Sequence, residues 1–315
     1  MPGTNLTRAE AADRAALIDV STYDVTLDLT TSETTFATTS RITFTCSAPG
    51  ADTFVDFVGA SVEKVRLNGE VVPTAYEDGR VCIPGLAADN VLEIEATGRY
   101  TNTGEGLHRF VDPVDDEVYL YSQFEVPDSR RMYPVFEQPD LKAEFTFTVT
   151  APAHWQVVSN SPTPEPEPLP LGNARWRFDA TARISTYITA IVAGPYHGVH
   201  SEYAGPHGTY PFGVYCRRSL AEHLDADDIL LITKQGFEFF ERSTGEGVQP
   251  WEDAHPGAET RVWQLVHHAS SGSGVIAIAM SLFAFTTLLG NYYYCEGCLK
   301  YILKRSPGFA FMTVF

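Results

Sequence analysis

The sequence predicts a mainly β protein: an antiparallel, saddle-like β-sandwich domain, followed by the start of an α-containing domain that is incomplete. Three observations predict this. Apolar and polar residues alternate in a series of short segments, the pattern of strands with one buried face. Asn68-Gly69 and Asp78-Gly79 stand between such segments, and both dipeptides tolerate the positive φ that tight hairpins require. Past Tyr203 the period changes from two to that of a helix, and strands followed by helices indicate a second domain.

Taken in order, Thr7 to Ile18 has a helical pattern with Ala11, Ala15, Leu17 and Ile18 on its apolar side. Tyr23–Thr30 alternates strictly, as does Arg41–Thr45; Asp52–Phe57, Val62–Leu67, Arg80–Ile83 and Val91–Ala96 follow. The pattern resumes in Ala143–Thr150, Trp155–Ser159, Ala174–Phe178 and Thr186–Ala193. Ser161–Pro170 is a proline tract, read as a stiff surface loop, with a PxxP-type recognition segment as the alternative. Ser219–Glu241 reads as helical, with Asp225 as N-cap and a stripe of Ile229, Leu230, Ile232, Thr233, Phe237 and Phe240. The boundaries expected are a helical segment at 1–20, a β domain at 21–203, the start of a second domain at 204–241 and a divergent tail at 242–315.

A chain of 315 residues accommodates two domains at roughly 100–200 residues each. Its net charge of -18 argues against nucleic acid as a partner. The charge is uneven: from Arg242 onward five basic residues balance five acidic ones, so all of the -18 lies in residues 1–241. The first residues contain no apolar run of the secretory kind. Cys46, Cys82 and Cys216 are scattered singly, which together with that start favours a reducing, cytoplasmic setting, and Asn5-Leu6-Thr7 is then a chance glycosylation triplet.

The chemistry concentrates in Leu120–Phe145, LYSQFEVPDSRRMYPVFEQPDLKAEF, a stretch too polar for a core and too ordered for a linker. Residues two apart on a strand face the same way, so Gln123 and Glu125 are expected to point together with Phe124 in the core. A carboxylate beside an amide oxygen suits an ammonium group: one supplies charge, the other accepts a further hydrogen bond. A solvated sheet edge is the plainer reading of the same residues. Arg130 and Arg131, by pairing with Asp128, Glu137 or Asp140, would hold the loop rigid.

The run SQFEVPDSRRMYPVFEQPDLKAEFTFTV closely resembles the N-terminal domain of zinc aminopeptidases of the aminopeptidase N family, the M1-type gluzincins. Those carry Gln-x-Glu, then Asp-x-Arg-Arg, then a Phe-Asp/Glu-x-Pro corner. Tyr23–Leu29, Trp155–Asn160, Ser185-Thr186-Tyr187 and Lys234–Phe240 are similar to the same family, so the resemblance spans roughly residues 10–241. It implies a saddle-like β domain followed by a thermolysin-like one, and peptide N-termini as binding partner. It further implies that Glu125 binds the substrate's α-amino group and that Gln123 lines the pocket for its first side chain. The family's cofactor is zinc, held by a His-Glu-x-x-His helix and a distant Glu, with water attacking the first peptide carbonyl.

The chain departs from the family after Glu241. Where Gly-x-Met-Glu-Asn is expected it reads RSTGEGVQPWEDAHPG, and none of its nine histidines begins a His-Glu-x-x-His. His267 and His268 are adjacent, so on a helix they diverge by about 100°. His197 and His200 stand three apart among strand and glycine, and Cys295-Glu-Gly-Cys298 has no partner pair. No catalytic and no metal-binding residue is therefore assigned, no zinc is expected on this chain, and it is expected to be inactive alone. Gly274–Tyr294 is a charge-free apolar run followed by basic residues. Segment 275–294 has the length and flanks of a membrane helix, and equally those of a buried element separated from its context. A shifted reading frame or a fusion would account for the break. The rival to an aminopeptidase part is a non-catalytic module that captures peptide N-termini, tethered by this tail.

Overall fold

The computed structural model describes residues 5–244 except Val126 and His207 and, within its last helix, leaves out the side chains of residues 239, 240 and 242–244. The apolar run 274–294, His255, the His267–His268 pair and the Cys295–Cys298 pair lie outside the described residues. Helix α1 (Arg8–Leu17) leads into strands β1 (Ile18–Asp28), β2 (Thr35–Cys46), β3 (Thr53–Asp56), β4 (Ser61–Leu67), β5 (Glu70–Val72), β6 (Ala75–Glu77), β7 (Arg80–Ile83) and β8 (Asp89–Arg99). Then come β9 (Gly106–Val111), β10 (Val118–Gln123), β11 (Glu144–Pro152), β12 (Gln156–Val158), β13 (Glu167–Leu169), β14 (Asn173–Arg177) and β15 (Val192–Gly194). A hairpin of β16 (His197–Gly205) and β17 (Gly208–Cys216) and helix α2 (Ala226–Thr244) complete the described part.

The strands form an eight-stranded sheet in the order β13-β14-β11-β1-β2-β8-β4-β5, a four-stranded sheet β12-β15-β10-β9, a three-stranded sheet β3-β7-β6 and the β16-β17 ribbon. The protein is mainly β, as its alternation predicts. Its strand pairs are antiparallel, as expected, with one exception among the described residues: β1 and β11 run parallel at the centre of the large sheet. Alternation reports which face of a strand is buried and carries no information on strand direction.

Strand β1 buries Ile18 and Val20, then Tyr23, Val25 and Leu27, because the register shifts between Val20 and Thr22. That bulge re-phases the strand, so both halves present their apolar side chains to one core. Phe36, Ile42 and Phe44 of β2, Leu92 and Ile94 of β8 and Phe145, Phe147 and Val149 of β11 join them. Tyr23 stacks on Phe145 with ring centroids 4.7 Å apart, and Tyr133 meets Tyr23, Phe145 and Phe147 edge-on. Removing one such ring by a Phe→Ala change typically costs about 3–5 kcal/mol. Asn68 and Asp78 each adopt positive φ ahead of a glycine that does the same, as the two turn dipeptides predict. The proline tract departs from a plain loop: Glu167–Leu169 pairs with β14 as an edge strand, where Pro168 removes no ladder bond from a neighbour on its open side.

Two helical expectations change. Leu17 and Ile18 meet the main core as expected, but Ala15 is exposed and the fully buried residue of α1 is Arg14, which an internal carboxylate, Asp56, receives. The segment Arg218–His223 is a 3-10 turn, and α2 begins only after Asp225, whose Oδ1 accepts from the Asp228 N–H at 3.2 Å. Phe212 and Val214 of β17 pack with Leu230 and Phe237 of α2 into a second, smaller core. Tyr203, the expected end of the β domain, lies inside β16 and packs against that second core.

Candidate functional site

Strand β10 lies between β15 and β9, with Gln123 paired to Gly106 at its end. There the strand stops. Glu125 sits in a turn, and the Gln123 side-chain oxygen accepts from the Glu125 N–H at 3.3 Å. The expected strand geometry across Gln123–Glu125 is thus replaced by a turn that the glutamine itself closes. Phe124 is buried, edge-on to Tyr133, as expected. Its ring anchors the turn from below while the Glu125 side chain faces solvent.

The turn is braced from two sides. The Arg131 Nε donates to Asp128 Oδ1 at 2.6 Å, and its Nη2 lies 3.3 Å from Glu105 Oε2. Gly106 has φ +64°, and a Cβ there would stand 2.7 Å from the Cβ of Arg131, so the arginine stem passes where only glycine leaves room. Beside it, His108 stacks on Tyr121 with centroids 4.7 Å apart, and its Nδ1 accepts from the Gly104 N–H at 3.1 Å. Burial lowers the His108 pKa and favours the neutral ring.

Arg130 and Glu137 belong to a deeper layer. Ser129, Arg130 and Met132–Gln138 are all buried, which corrects the view of Leu120–Phe145 as too polar for a core. The polar groups are tolerated there because they satisfy one another. Glu137 accepts from the Ser129 hydroxyl, from the Arg130 N–H at 2.8 Å and from the Thr186 hydroxyl at 2.6 Å. Burial raises its pKa, and these three donors oppose the rise. The Arg130 guanidinium donates to Asn5 Oδ1 at 3.1 Å. Arg14 donates to Asp56 at 2.8 Å and to Gln138 at 3.0 Å, and Gln138 in turn donates to the Ala11 carbonyl. The structure therefore brings Gln123, Glu125 and Arg131 to the surface of one braced turn, with Arg130 and Glu137 beneath it. Glu105, Gly106 and Thr186 were missed from sequence. Asp128 and Arg131 show an i, i+3 spacing, whereas a lone Glu105 between glycines carries no local signal.

Structural zinc needs four convergent ligands and catalytic zinc three. Among the described residues no group of three or more His, Cys, Asp or Glu side chains is placed to hold a metal ion, so they do not fit zinc. His197 and His200 lie three apart on β16, which sends them to opposite faces.

A family model described as the Peptidase M1 N-terminal domain matches residues 20–188, more than half of the chain. The chain belongs to the M1 peptidase family. Its relatives in that family include the aminopeptidase N of Streptomyces lividans, 52% identical over 246 residues that make up 76% of this chain and 28% of that protein. The leucyl aminopeptidase of Saccharolobus solfataricus is 27% identical over 149 residues, 47% of this chain and 19% of its own. A probable M1 family aminopeptidase of Encephalitozoon cuniculi is 33% identical over 143 residues, 43% of this chain and 16% of its own. This M1 chain thus spans less than a third of the length of the relatives it matches. Residues 245–315 match a second family model, that of the sodium:alanine symporter family.

Proposed function

We propose that the M1 domain of this chain is the substrate-anchoring part of an aminopeptidase, and that Glu125 and Gln123 receive the free amino terminus of a peptide. One observation carries the reading: an exposed carboxylate stands on a turn fixed by a buried phenylalanine and a braced arginine, beside an amide whose oxygen is held at the same turn. A peptide ammonium reaching that turn gains a charge-assisted hydrogen bond at a site that needs little ordering. The names of the relatives, aminopeptidases throughout, support peptide amino termini as the ligand class. The zinc chemistry of such an enzyme would belong to the part of the relatives that lies outside the match. The 315 residues contain no His-Glu-x-x-His, and we expect no turnover from this chain alone. Calorimetry with a short peptide tests the anchor. Glu125→Ala should lower affinity for the free-amino form about tenfold or more and leave the weak N-acetylated form unchanged; equal affinity in parent and variant sinks the reading. Chelator-sensitive hydrolysis of an aminoacyl-anilide by the purified chain would overturn the inactivity.

A second reading concerns the tail. The symporter-family match at 245–315, together with the charge-free run 274–294, favours a fusion over a shifted reading frame, because a shifted frame has no cause to resemble a protein family. A symporter works in a membrane, so the tail would tether the M1 domain to one, with the domain on the reducing, cytoplasmic side that the free thiols of Cys46, Cys82 and Cys216 suit. The full chain should float with neutral liposomes in a density gradient and residues 1–244 should stay at the bottom. Equal behaviour of the two counts against the tether.

A further inference from the structure

The large sheet and the four-stranded sheet leave a cleft of about 500 Å³ whose lining includes neither Gln123 nor Glu125. That size is ordinary for a small-molecule site. Leu29 and Leu120 give it a buried apolar lining, and Tyr100 and Trp155 stand half-buried beside them. The Tyr100 hydroxyl donates to the Leu29 carbonyl at 3.2 Å, which fixes that ring at the end of β1.

Two members of the lining are out of place in a plain surface crevice. Arg109 pairs across the ladder with Leu120 and stands two places from buried Leu107, so strand alternation turns it to the core side with those leucines. A half-buried cation so placed is ordinarily answered by a carboxylate. Arg109 forms no ion pair among the described residues, and neither does Glu33, which lines the same cleft. Burial raises the Tyr100 pKa and the Arg109 charge opposes the rise, so the cation acts within the cleft. The second is Leu171, at the mouth, with φ +63° and 97% of its surface exposed. A left-handed backbone is unfavourable for leucine, and so is a fully wetted apolar side chain. Strain kept at the mouth of a cleft points to a ligand that the strained residue meets.

We propose that this cleft binds a free α-amino acid with an apolar side chain, Arg109 pairing with its carboxylate and Glu33 with its ammonium group. The side chain enters between Leu29, Leu120 and Trp155, and Leu171 covers it from the mouth. The Arg109 fork suits a carboxylate, and a zwitterion answers both unpaired charges of the cleft at once. The inference rests on the cleft alone and not on the role of Glu125.

Calorimetry of the purified full chain with L-phenylalanine provides the test. Saturable one-to-one binding is expected, and L-phenylalaninamide, which lacks the carboxylate, should bind about tenfold more weakly or worse. Arg109→Gln should weaken binding of the acid by a similar factor, and Glu33→Gln by about threefold. Leu171→Gly should also weaken it while the thermal midpoint does not fall, because glycine accepts this φ without strain. That variant decides the matter where Arg109→Gln disturbs the fold, as judged by circular dichroism. Absence of saturable binding, or equal binding of acid and amide, overturns the proposal. Binding that survives Arg109→Gln and is lost with Glu125→Ala belongs to the turn and also overturns it. A glycyl-glycyl-phenylalanine peptide that binds as tightly as the free amino acid assigns the cleft to chain ends, with the same consequence. Arg109 and Glu125 are changed separately, so failure of the cleft is distinguishable from failure of the anchor.

Discussion

Glu10 shows how one side chain can serve two elements. Its carboxylate accepts from the Thr7 N–H at 2.8 Å, closing the capping box of α1, and from Arg80 of β7 at 2.6 Å. The Arg80 bond, followed by the Thr7 bond, brings its pKa to about 2 from an ordinary 4.5. A depressed carboxylate stabilises the fold above its unfolded value and loses that contribution as pH falls through the folded value. Glu10→Gln should therefore cost about 1 kcal/mol at pH 7, a figure kept small because the pair is partly exposed to solvent. The gap between parent and variant in urea titrations should narrow as pH falls from about 4.5 towards 2. Glu137 responds in the opposite sense. Burial raises its pKa, so its contribution is full below the ordinary carboxylate range and declines as pH rises through the folded value. The parent-minus-variant difference isolates Glu10 from this opposing group. At this scale the chemistry of Gln123 and Glu125 was legible as residue types in sequence. The turn that joins them was not, because it depends on Gln123 bonding the backbone where β10 ends.

Helix α1 attaches to the β domain through a polar contact. Arg14 is buried among Asp56, Gln138 and the carbonyls of Phe54 and Glu137, with its guanidinium 4.8 Å from the Phe54 ring centroid. A buried ion pair contributes little relative to an apolar replacement, but losing one partner strands the other. Arg14→Met should destabilise the domain by about 3–5 kcal/mol, and Arg14→Met with Asp56→Leu should recover part of that loss in denaturant titrations. Equal costs for the single and double variants would mean that the stranded Asp56 charge is not the cause. The period-two pattern placed most strands, because one face of each is buried and the other wet. It did not show that β1 has a bulge or that β11 lies parallel to it. Both depend on which strand becomes the neighbour, a long-range choice that local alternation does not encode. Arg14 was hidden for a related reason: an arginine in a helical pattern is ordinarily a solvated residue, and its carboxylate partner lies 42 positions away.

Across the molecule, the two cores are coupled by Asp112, just past β9. Its buried carboxylate accepts from the Ser219 hydroxyl at 2.5 Å and from Arg217 at 2.8 Å, and Arg217 stacks over Phe110. The Tyr119 hydroxyl accepts from the Arg218 N–H beside it. The Ser219 bond, then the Val114 N–H and the Arg217 charge, lower the Asp112 pKa, so this link is complete at neutral pH and weakens as pH falls below the ordinary aspartate range. Asp112→Asn should speed amide hydrogen exchange in 217–224 and in α2 while the strands of the large sheet exchange as before. Unchanged exchange in 217–224 would remove Asp112 as the link. By itself, the sequence determined the β class, the tight turns, the change of period past residue 203, the family resemblance and the break after residue 241. Each of these is written in nearest-neighbour pattern and in charge. Only the tertiary structure decided that Leu120–Phe145 is half surface turn and half core, that a helix is held by a buried ion pair, and that Leu230 and Phe237 of α2 are the residues that meet the β16-β17 hairpin. Those outcomes depend on which distant groups satisfy a buried charge or cover an apolar side chain, and desolvation is settled only when the chain has folded.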